Sequence, residues 1–407
     1  MTAAFDRPSV AEALAERPSA ATSSKGPAPG ATGRAGGPGS QRGAGSPPSP
    51  IGDLVETRSI VICCGAGGVG KTTVSAALAL QAARQGRRAC VVTIDPARRL
   101  ASALGIDQLA NDPVQLAGDW PGQLWAVMLD PKRTFDDLVR QHAGDSRQAE
   151  AILANRIYRN LTGALSGTQE YMAMEKVHQL TESGQFDLVV VDTPPTRNAI
   201  DFIDAPRRLT RFLGHRLFQL LLMPTKAYMR AVSVASQALL RSIAKVAGSD
   251  VVEDAVAFFN AFEGMEEGFR SRAEHMQSVL GAPATSFVLV TSPRSDTVTE
   301  ATWFAGQLAD LGFAVSALVV NRVQPDYRAQ GPLPEAPPAS VLMALEQNLE
   351  ELHRRRRHEE RAIAGIVSDV APASVVLVPV LDEDVHDVEG LSAVARSLVA
   401  GSDGRSR

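Results

Sequence analysis

Cysteine is scarce. Only Cys63, Cys64 and Cys90 occur in 407 residues. They form no CxxC pair and lie far along the chain from His142 and His178, so neither a disulfide framework nor a zinc-ligand spacing is present. A reducing, cytoplasmic setting is the expectation. Long apolar runs are missing too. The longest, Leu217 to Met223, is interrupted by Gln219 and closed by Pro224, far short of the roughly 20 residues that a spanning helix needs. Met1 to Arg17 mixes acidic and basic residues without the apolar stretch of a signal peptide. Nor does charge of one sign dominate: 41 Lys plus Arg against 45 Asp plus Glu leaves a net −4. That balance argues against a basic nucleic-acid binder, and no nucleic-acid partner is expected.

Between Pro18 and Pro50 no Val, Ile, Leu, Met or aromatic residue occurs, and Pro, Gly, Ala and Ser dominate. Such a segment cannot offset its ordering entropy. Residues 1–55 therefore read as a disordered arm, with a helix conceivable near Val10 to Glu16. From Arg58 onward, short β-branched runs alternate with longer helical stretches, the pattern of a parallel sheet covered on both faces. Seven runs read as buried strands: Ser59–Cys64, Ala89–Ile94, Leu124–Leu129, Asp187–Asp192, Ser286–Thr291, Ala314–Asn321 and Ser374–Val380. They make one α/β core from residues 56–205 and 281–401. Residues 402–407 are a tail.

Two stretches break the rhythm. Residues 206–280 show apolar positions at helical spacing, such as Leu217, Leu220 and Leu221, then Val256, Phe259 and Phe262, and read as a helical insertion. Residues 324–338, QPDYRAQGPLPEAPP, are rich in proline and read as a mobile surface loop. The following helix carries HRRRRH, His353 to His358, among Glu346, Glu350, Glu351, Glu359 and Glu360. A salt-bridged, solvated face is the expected reading.

The chemistry concentrates in GAGGVGKTT, Gly65 to Thr73, between a strand and an Ala-rich helix. Glycines let the backbone wind closely around phosphate, and exposed N–H groups at a helix start favour an anion. Gly65, Ala66, Gly67, Gly68, Val69, Gly70, Lys71, Thr72 and Thr73 are thus candidate nucleotide contacts. Lys71 can reach the outer phosphates, and the Thr72 hydroxyl can ligate Mg2+. Asp192, closing the strand of DLVVVDTPPTRN, supplies the carboxylate such a metal needs. Asp95, after ACVVTI, is a second strand-end acid. It can ligate the metal or orient an attacking water, its low ordinary pKa making positioning more important than proton abstraction.

GAGGVGKTT, TIDPARRL and VVVDTPPTRNAIDFIDAP together resemble the ArsA-like family of arsenite-pump and tail-anchored-protein-targeting P-loop ATPases, closest to its actinobacterial members. The resemblance runs from Ser59 to Leu398. It implies a P-loop NTPase fold, ATP and Mg2+ as cofactors, Asp95 in a first switch and Asp192 to Thr196 in a second. It further implies that Asn321 contacts adenine and that Pro379 to Asp382 flank the base. A homodimer or a heterodimer with an ArsA-like paralogue is implied as well, with a membrane-protein client or membrane partner.

The departures are specific. Where the family usually has GKGGVGKT, with a lysine that reaches the partner's phosphates, Ala66 stands here. Hydrolysis is then slow, or Arg98 or Arg197 substitutes, or a second subunit donates the cation. The metalloid cysteines and the zinc CxxC of family members are also missing. Phe212, Leu213, Leu217, Phe218, Leu221, Leu222 and Met223, then Tyr228, Met229, Val232 and Val234, form either a client groove or the core of a helical subdomain. The leading expectation is a Mg-dependent ATPase, with Asp95 and Lys71 catalytic, that couples nucleotide state to dimer and helical-subdomain rearrangement for targeting or transport. A non-catalytic, nucleotide-gated adaptor or a subunit of a heteromeric ATPase stays open. A MinD-like ATPase fits less well without a basic amphipathic end, and no NKxD-type guanine motif follows a late strand.

Overall fold

A computed structural model describes residues 50–95, 99–156, 158–159, 167–215, 264–327 and 338–400, with residues 254, 258 and 261. The arm before residue 50, the stretch holding Leu217 to Val234, Val256, Phe259 and Phe262, Arg98, residues 328–337 and the tail lie outside the described residues.

The chain runs α1 (Pro50–Thr57), β1 (Ile60–Gly65), α2 (Lys71–Arg84), β2 (Arg88–Thr93), α3 (Arg99–Leu104), β3 (Val114–Leu116) and β4 (Gln123–Met128). Next come α4 (Pro131–His142), α5 (Ser146–Ala154), α6 (Thr168–Glu182), β5 (Leu188–Asp192), α7 (Thr196–Leu213) and α8 (Glu266–Leu280). Last are β6 (Thr285–Thr291), α9 (Ser295–Asp310), β7 (Val315–Val323), α10 (Ala339–Asp369), β8 (Ser374–Pro379) and α11 (Val388–Ala400). Eight strands form one sheet in the order β3-β4-β2-β5-β1-β6-β7-β8. All neighbours are parallel except β3 and β4. The expected α/β fold with a mostly parallel sheet is therefore what the chain adopts.

Continuous apolar strands bury both faces, as parallel sheets require. Ile60, Ile62 and Cys64 of β1 join one core with Phe202 of α7, Phe304 of α9 and Ile363 of α10. Val61 and Cys63, pointing the other way, join a second with Leu78 and Leu80 of α2 and Leu391 of α11. A third cluster unites Phe135, Leu138, Ile152, Tyr171, Leu213 and Phe269 from α4, α5, α6, α7 and α8.

Three expectations change. The folded part starts before residue 56: Ile51, Leu54 and Val55 of α1 are buried in the second core, because their i, i+3, i+4 spacing makes one apolar helix face. An eighth strand, β3, is present; at three residues and with two of them exposed, it is too short to show a period. Pro206 does not open the insertion, since α7 runs through it. Ala205 and Leu213 on either side are held in the third cluster, and packing outweighs the donor that proline removes. The arginine run on α10 is the solvated face expected: Arg354 and Arg355 both bond Glu351, and Arg356 bonds Glu360.

Candidate functional site

Parallel strands end together, so the carboxyl edge of the sheet gathers the site. The loop Gly65 to Gly70 follows β1, Asp95 follows β2, Asp192 ends β5, Asn321 lies near the end of β7 and Pro379 ends β8. Register fixes the centre: Asp192 pairs with Cys63 on one side and with Thr93 on the other.

Two glycines of the loop leave no room for a side chain as packed. Gly65 has φ +148, and a Cβ there would collide with the Val290 carbonyl. Gly70 has φ +94, and a Cβ there would collide with Asn321 Nδ2. That close approach exists because the Asn321 amide donates to the Val69 carbonyl at 2.8 Å. The next residue, Arg322, adopts φ +62 at a bulge in β7. Its Nη1 donates to the Gly68 carbonyl at 3.4 Å. Consecutive residues of β7 thus hold consecutive carbonyls of the loop from outside. The first N–H groups of α2 receive no side-chain cap and remain available to an anion.

Inside the loop, Lys71 is buried and its Nζ donates to the Ala66 carbonyl at 2.9 Å. Burial lowers its pKa, while the nearby Asp192, Cys64 and Asp95 oppose that shift. The Ala66 methyl is 1% exposed in the second core. The position that holds a reaching lysine in the resembled family is here part of the packing.

Asp192 is the most constrained group of the site. Its Oδ2 accepts from Thr72 Oγ1 at 2.8 Å and from Thr93 Oγ1 at 2.9 Å. Its Oδ1 is buried without a hydrogen-bond partner. Burial raises its pKa to about 6 against the donations from Thr72 and Thr93. A buried carboxylate oxygen left unsatisfied beside a threonine hydroxyl fits a hard, oxygen-seeking cation such as Mg2+. Asp95 is partly exposed; its N–H donates to Thr93 Oγ1 at 3.2 Å, and its carboxylate lies 3.5 Å from Arg99. Beyond Asp192, Thr193 Oγ1 donates to the Cys63 carbonyl at 2.8 Å, and Thr196 Oγ1 donates to Glu300 of α9.

A cavity of about 320 Å³ opens beside the loop, lined by Gly70, Thr73, Asn321, Arg322 and Pro379 among others. Glu383 and Asp384 line it, whereas Asp382 does not. The three cysteines are buried and free. Burial pushes Cys63 and Cys90 up to about 12 and Cys64 higher still, which makes them inert core residues. The Arg197 side chain lies outside the described residues. The sequence reading overlooked Arg322, Arg99, Thr93 and Glu300. Thr93 alone carried a signal, as the last strand residue before the ID of TIDP.

This arrangement can bind phosphate through backbone N–H groups and neutralise charge with an amine and a metal. Among the described residues it presents no nucleophile poised for a covalent intermediate, so positioning and electrostatics are the chemistry available. Residues 58–400 match the family described as Anion-transporting ATPase. The chain is 25% identical over 355 residues to the ATPase GET3 of Malassezia globosa, covering 86% of this chain and 95% of that protein. It is 23% identical over 354 residues to a putative arsenical pump-driving ATPase of Aquifex aeolicus, covering 84% and 79%. Against the ATPase ARSA1 of Chlamydomonas reinhardtii it is 26% identical over 364 residues, covering 82% of this chain and 42% of that protein. Fold, loop and family profile agree, and the chain belongs to the anion-transporting ATPase family as a P-loop ATP hydrolase.

Proposed function

We propose that the chain binds MgATP with its phosphates in the loop Gly65 to Thr73 and its base in the cavity bounded by Asn321 and Pro379. The observation behind this reading is the set Thr72, Asp192 and Lys71, gathered within hydrogen-bonding and Coulombic reach. Thr72, Asp192 and Asp95 would hold the metal, which supplies charge neutralisation at the phosphates. Lys71 moves from the Ala66 carbonyl to the outer phosphates. Asp95 orients water, and its Arg99 partner fixes the carboxylate. The segment Asp192 to Thr196 reports phosphate state to α7, whose far end leads toward the helical insertion. Dimer closure and movement of that insertion are the coupled output.

A relative named ATPase GET3 and one named arsenical pump-driving ATPase support targeting or transport as the setting, with a membrane-protein client or membrane partner and a cytoplasmic location. No helix among the described residues is long and apolar enough to cross a membrane. Exposed Val341, Leu342, Met343 and Leu345 on the first turns of α10 favour a protein partner, such as a second copy or a paralogue. Buried Ala66 favours the second reading, a nucleotide-gated adaptor or half of a heteromeric ATPase. A cation donated in trans to transferring phosphate is worth about 10³ to 10⁵ in rate by analogy with arginine fingers.

Phosphate release from MgATP by the purified chain, alone and mixed with a lysine-bearing ArsA-like paralogue, separates the readings, with Asp95→Asn as the blank. Release above the blank by the isolated chain means a self-sufficient site. Release only in the mixture means a heteromeric enzyme. Binding without turnover in either means the adaptor, and no binding at all removes the proposal.

A further inference from the structure

We propose that His178, Glu182 and His275 form a binding site for a divalent transition metal of the zinc class, clipping α8 to α6. His178 and Glu182 are i, i+4 neighbours on α6 and share a face. His275 comes from α8, 93 residues beyond Glu182. The ligand atoms of the three residues all lie within 4.8 Å of one another. His275 Nε2 is 3.4 Å from Glu182 Oε1, and the two imidazole centroids are 5.2 Å apart. His178 Nδ1 is buried and has no hydrogen-bond partner.

Metal–ligand bonds of about 2.0–2.2 Å in a tetrahedron separate donor atoms by roughly 3.3 Å. The His275–Glu182 pair already has that spacing. The remaining contraction needs only side-chain rotation, which is open to residues whose side chains are 48% and 56% exposed. Two imidazoles and one carboxylate favour zinc, and disfavour magnesium or calcium, which prefer oxygen. Solvent on the exposed side supplies the fourth ligand.

The neighbouring cation does not oppose this. Arg272, one turn before His275, is neutralised by Glu175, which is one turn before His178. Glu182 then leaves the cluster a negative charge of its own. Because α6 leads into β5 and Asp192, while α8 follows the segment 214–265, the clip would tie that segment's return to the strand bearing the proposed metal-binding carboxylate.

The test uses the full chain, stripped with chelator and titrated with Zn2+, with Co2+ as the spectroscopic probe. One saturable equivalent is expected. His275→Gln and Glu182→Gln should each weaken it at least tenfold, and His178→Asn combined with His275→Gln should abolish it. Zn2+ should raise the Tm of the unsubstituted chain in a concentration-dependent manner and leave the double variant unmoved. His353→Ala with His358→Ala, on the solvated face of α10, should change nothing. Absence of saturable binding, or binding retained in the folded double variant, overturns the proposal. No nucleotide enters the titration, so its failure and failure of the ATPase reading are separate results.

Discussion

The Thr72 hydroxyl donates to Asp192 Oδ2 at 2.8 Å, joining residues 120 apart in sequence, while Asp192 Oδ1 is buried without a partner. One oxygen is thus held in place by neutral donors and the other is held out of water. A charge so placed is unfavourable until a cation meets it. The same carboxylate that is unfavourable in the metal-free fold would therefore be an effective ligand for the proposed metal.

That balance gives a pH-dependent expectation. Asp192 titrates at about 6 in the fold against 3.8 ordinarily, so between these values the folded state binds more protons than the unfolded chain. The group's contribution is most favourable below pH 3.8 and is lost as pH rises through about 6. Asp192→Asn should then stabilise the metal-free protein at pH 8 by on the order of 1–3 kcal/mol, and the gain should vanish near pH 4. Thermal melts at both pH values check this. A variant no more stable than its parent at pH 8 would contradict it. Mg2+ should raise the parent's Tm and leave the variant's unchanged.

Lys71 and Asp95 separate binding from turnover. Lys71→Ala removes the amine that donates to the Ala66 carbonyl and is proposed to reach phosphate, and should cost at least tenfold in ATP affinity, or abolish hydrolysis. Asp95→Asn keeps a polar side chain of the same size and should bind MgATP as before while losing turnover. Fluorescent-nucleotide titration and phosphate release on the same samples distinguish the two. Undiminished ATP affinity and hydrolysis in the lysine variant sink the site assignment; unchanged turnover in the aspartate variant removes its role.

What the sequence disclosed depended on whether the signal was local. β1, the glycine loop and α2 are contiguous, so composition and spacing revealed them together. Asp95 and Asp192 were visible as acids closing apolar strands. Arg322 was not, because nothing in VVNRV marks a bulge or a positive φ. Asn321 was singled out for adenine, yet its amide also holds the loop through Val69, a contact across 252 residues that no local pattern encodes. α1 was hidden by the Pro- and Gly-rich stretch before it, although Ile51, Leu54 and Val55 already had helical spacing. His178, Glu182 and His275 met only when α6 and α8 were brought side by side.

Arg322 gives two opposed readouts. Its φ of +62 is costly for a side-chain-bearing residue, and Arg322→Gly should stabilise the fold by about 1 kcal/mol. The same change removes the guanidinium that holds the Gly68 carbonyl and should weaken nucleotide binding several-fold. Asn321→Ala leaves the Val69 carbonyl unpaired, which should cost about tenfold in affinity through loss of roughly 1–2 kcal/mol. Chemical denaturation and nucleotide titration of the two variants provide the check. An Arg322→Gly protein with unaltered affinity would leave the residue with no part in nucleotide binding.

α6 and α8 meet over a largely buried charge pair. Glu175 of α6 is 1% exposed and takes Arg272 of α8 in a two-point contact, with Arg272 Nη1 also 3.2 Å from His142 Nε2. Removing Glu175 strands Arg272, whose side chain is only 18% exposed, with little solvent to compensate. Glu175→Ala should therefore cost about 3–5 kcal/mol. Replacing both, as Glu175→Leu with Arg272→Leu, fills the same seam beside Tyr171 and Phe269 without burying charge, and should fall within about 1 kcal/mol of the parent or above it. A double-mutant cycle in urea measures the difference. Additive losses from the two single changes would mean that the pair does not hold α6 to α8, and that the Phe269 and Tyr171 packing alone anchors α8.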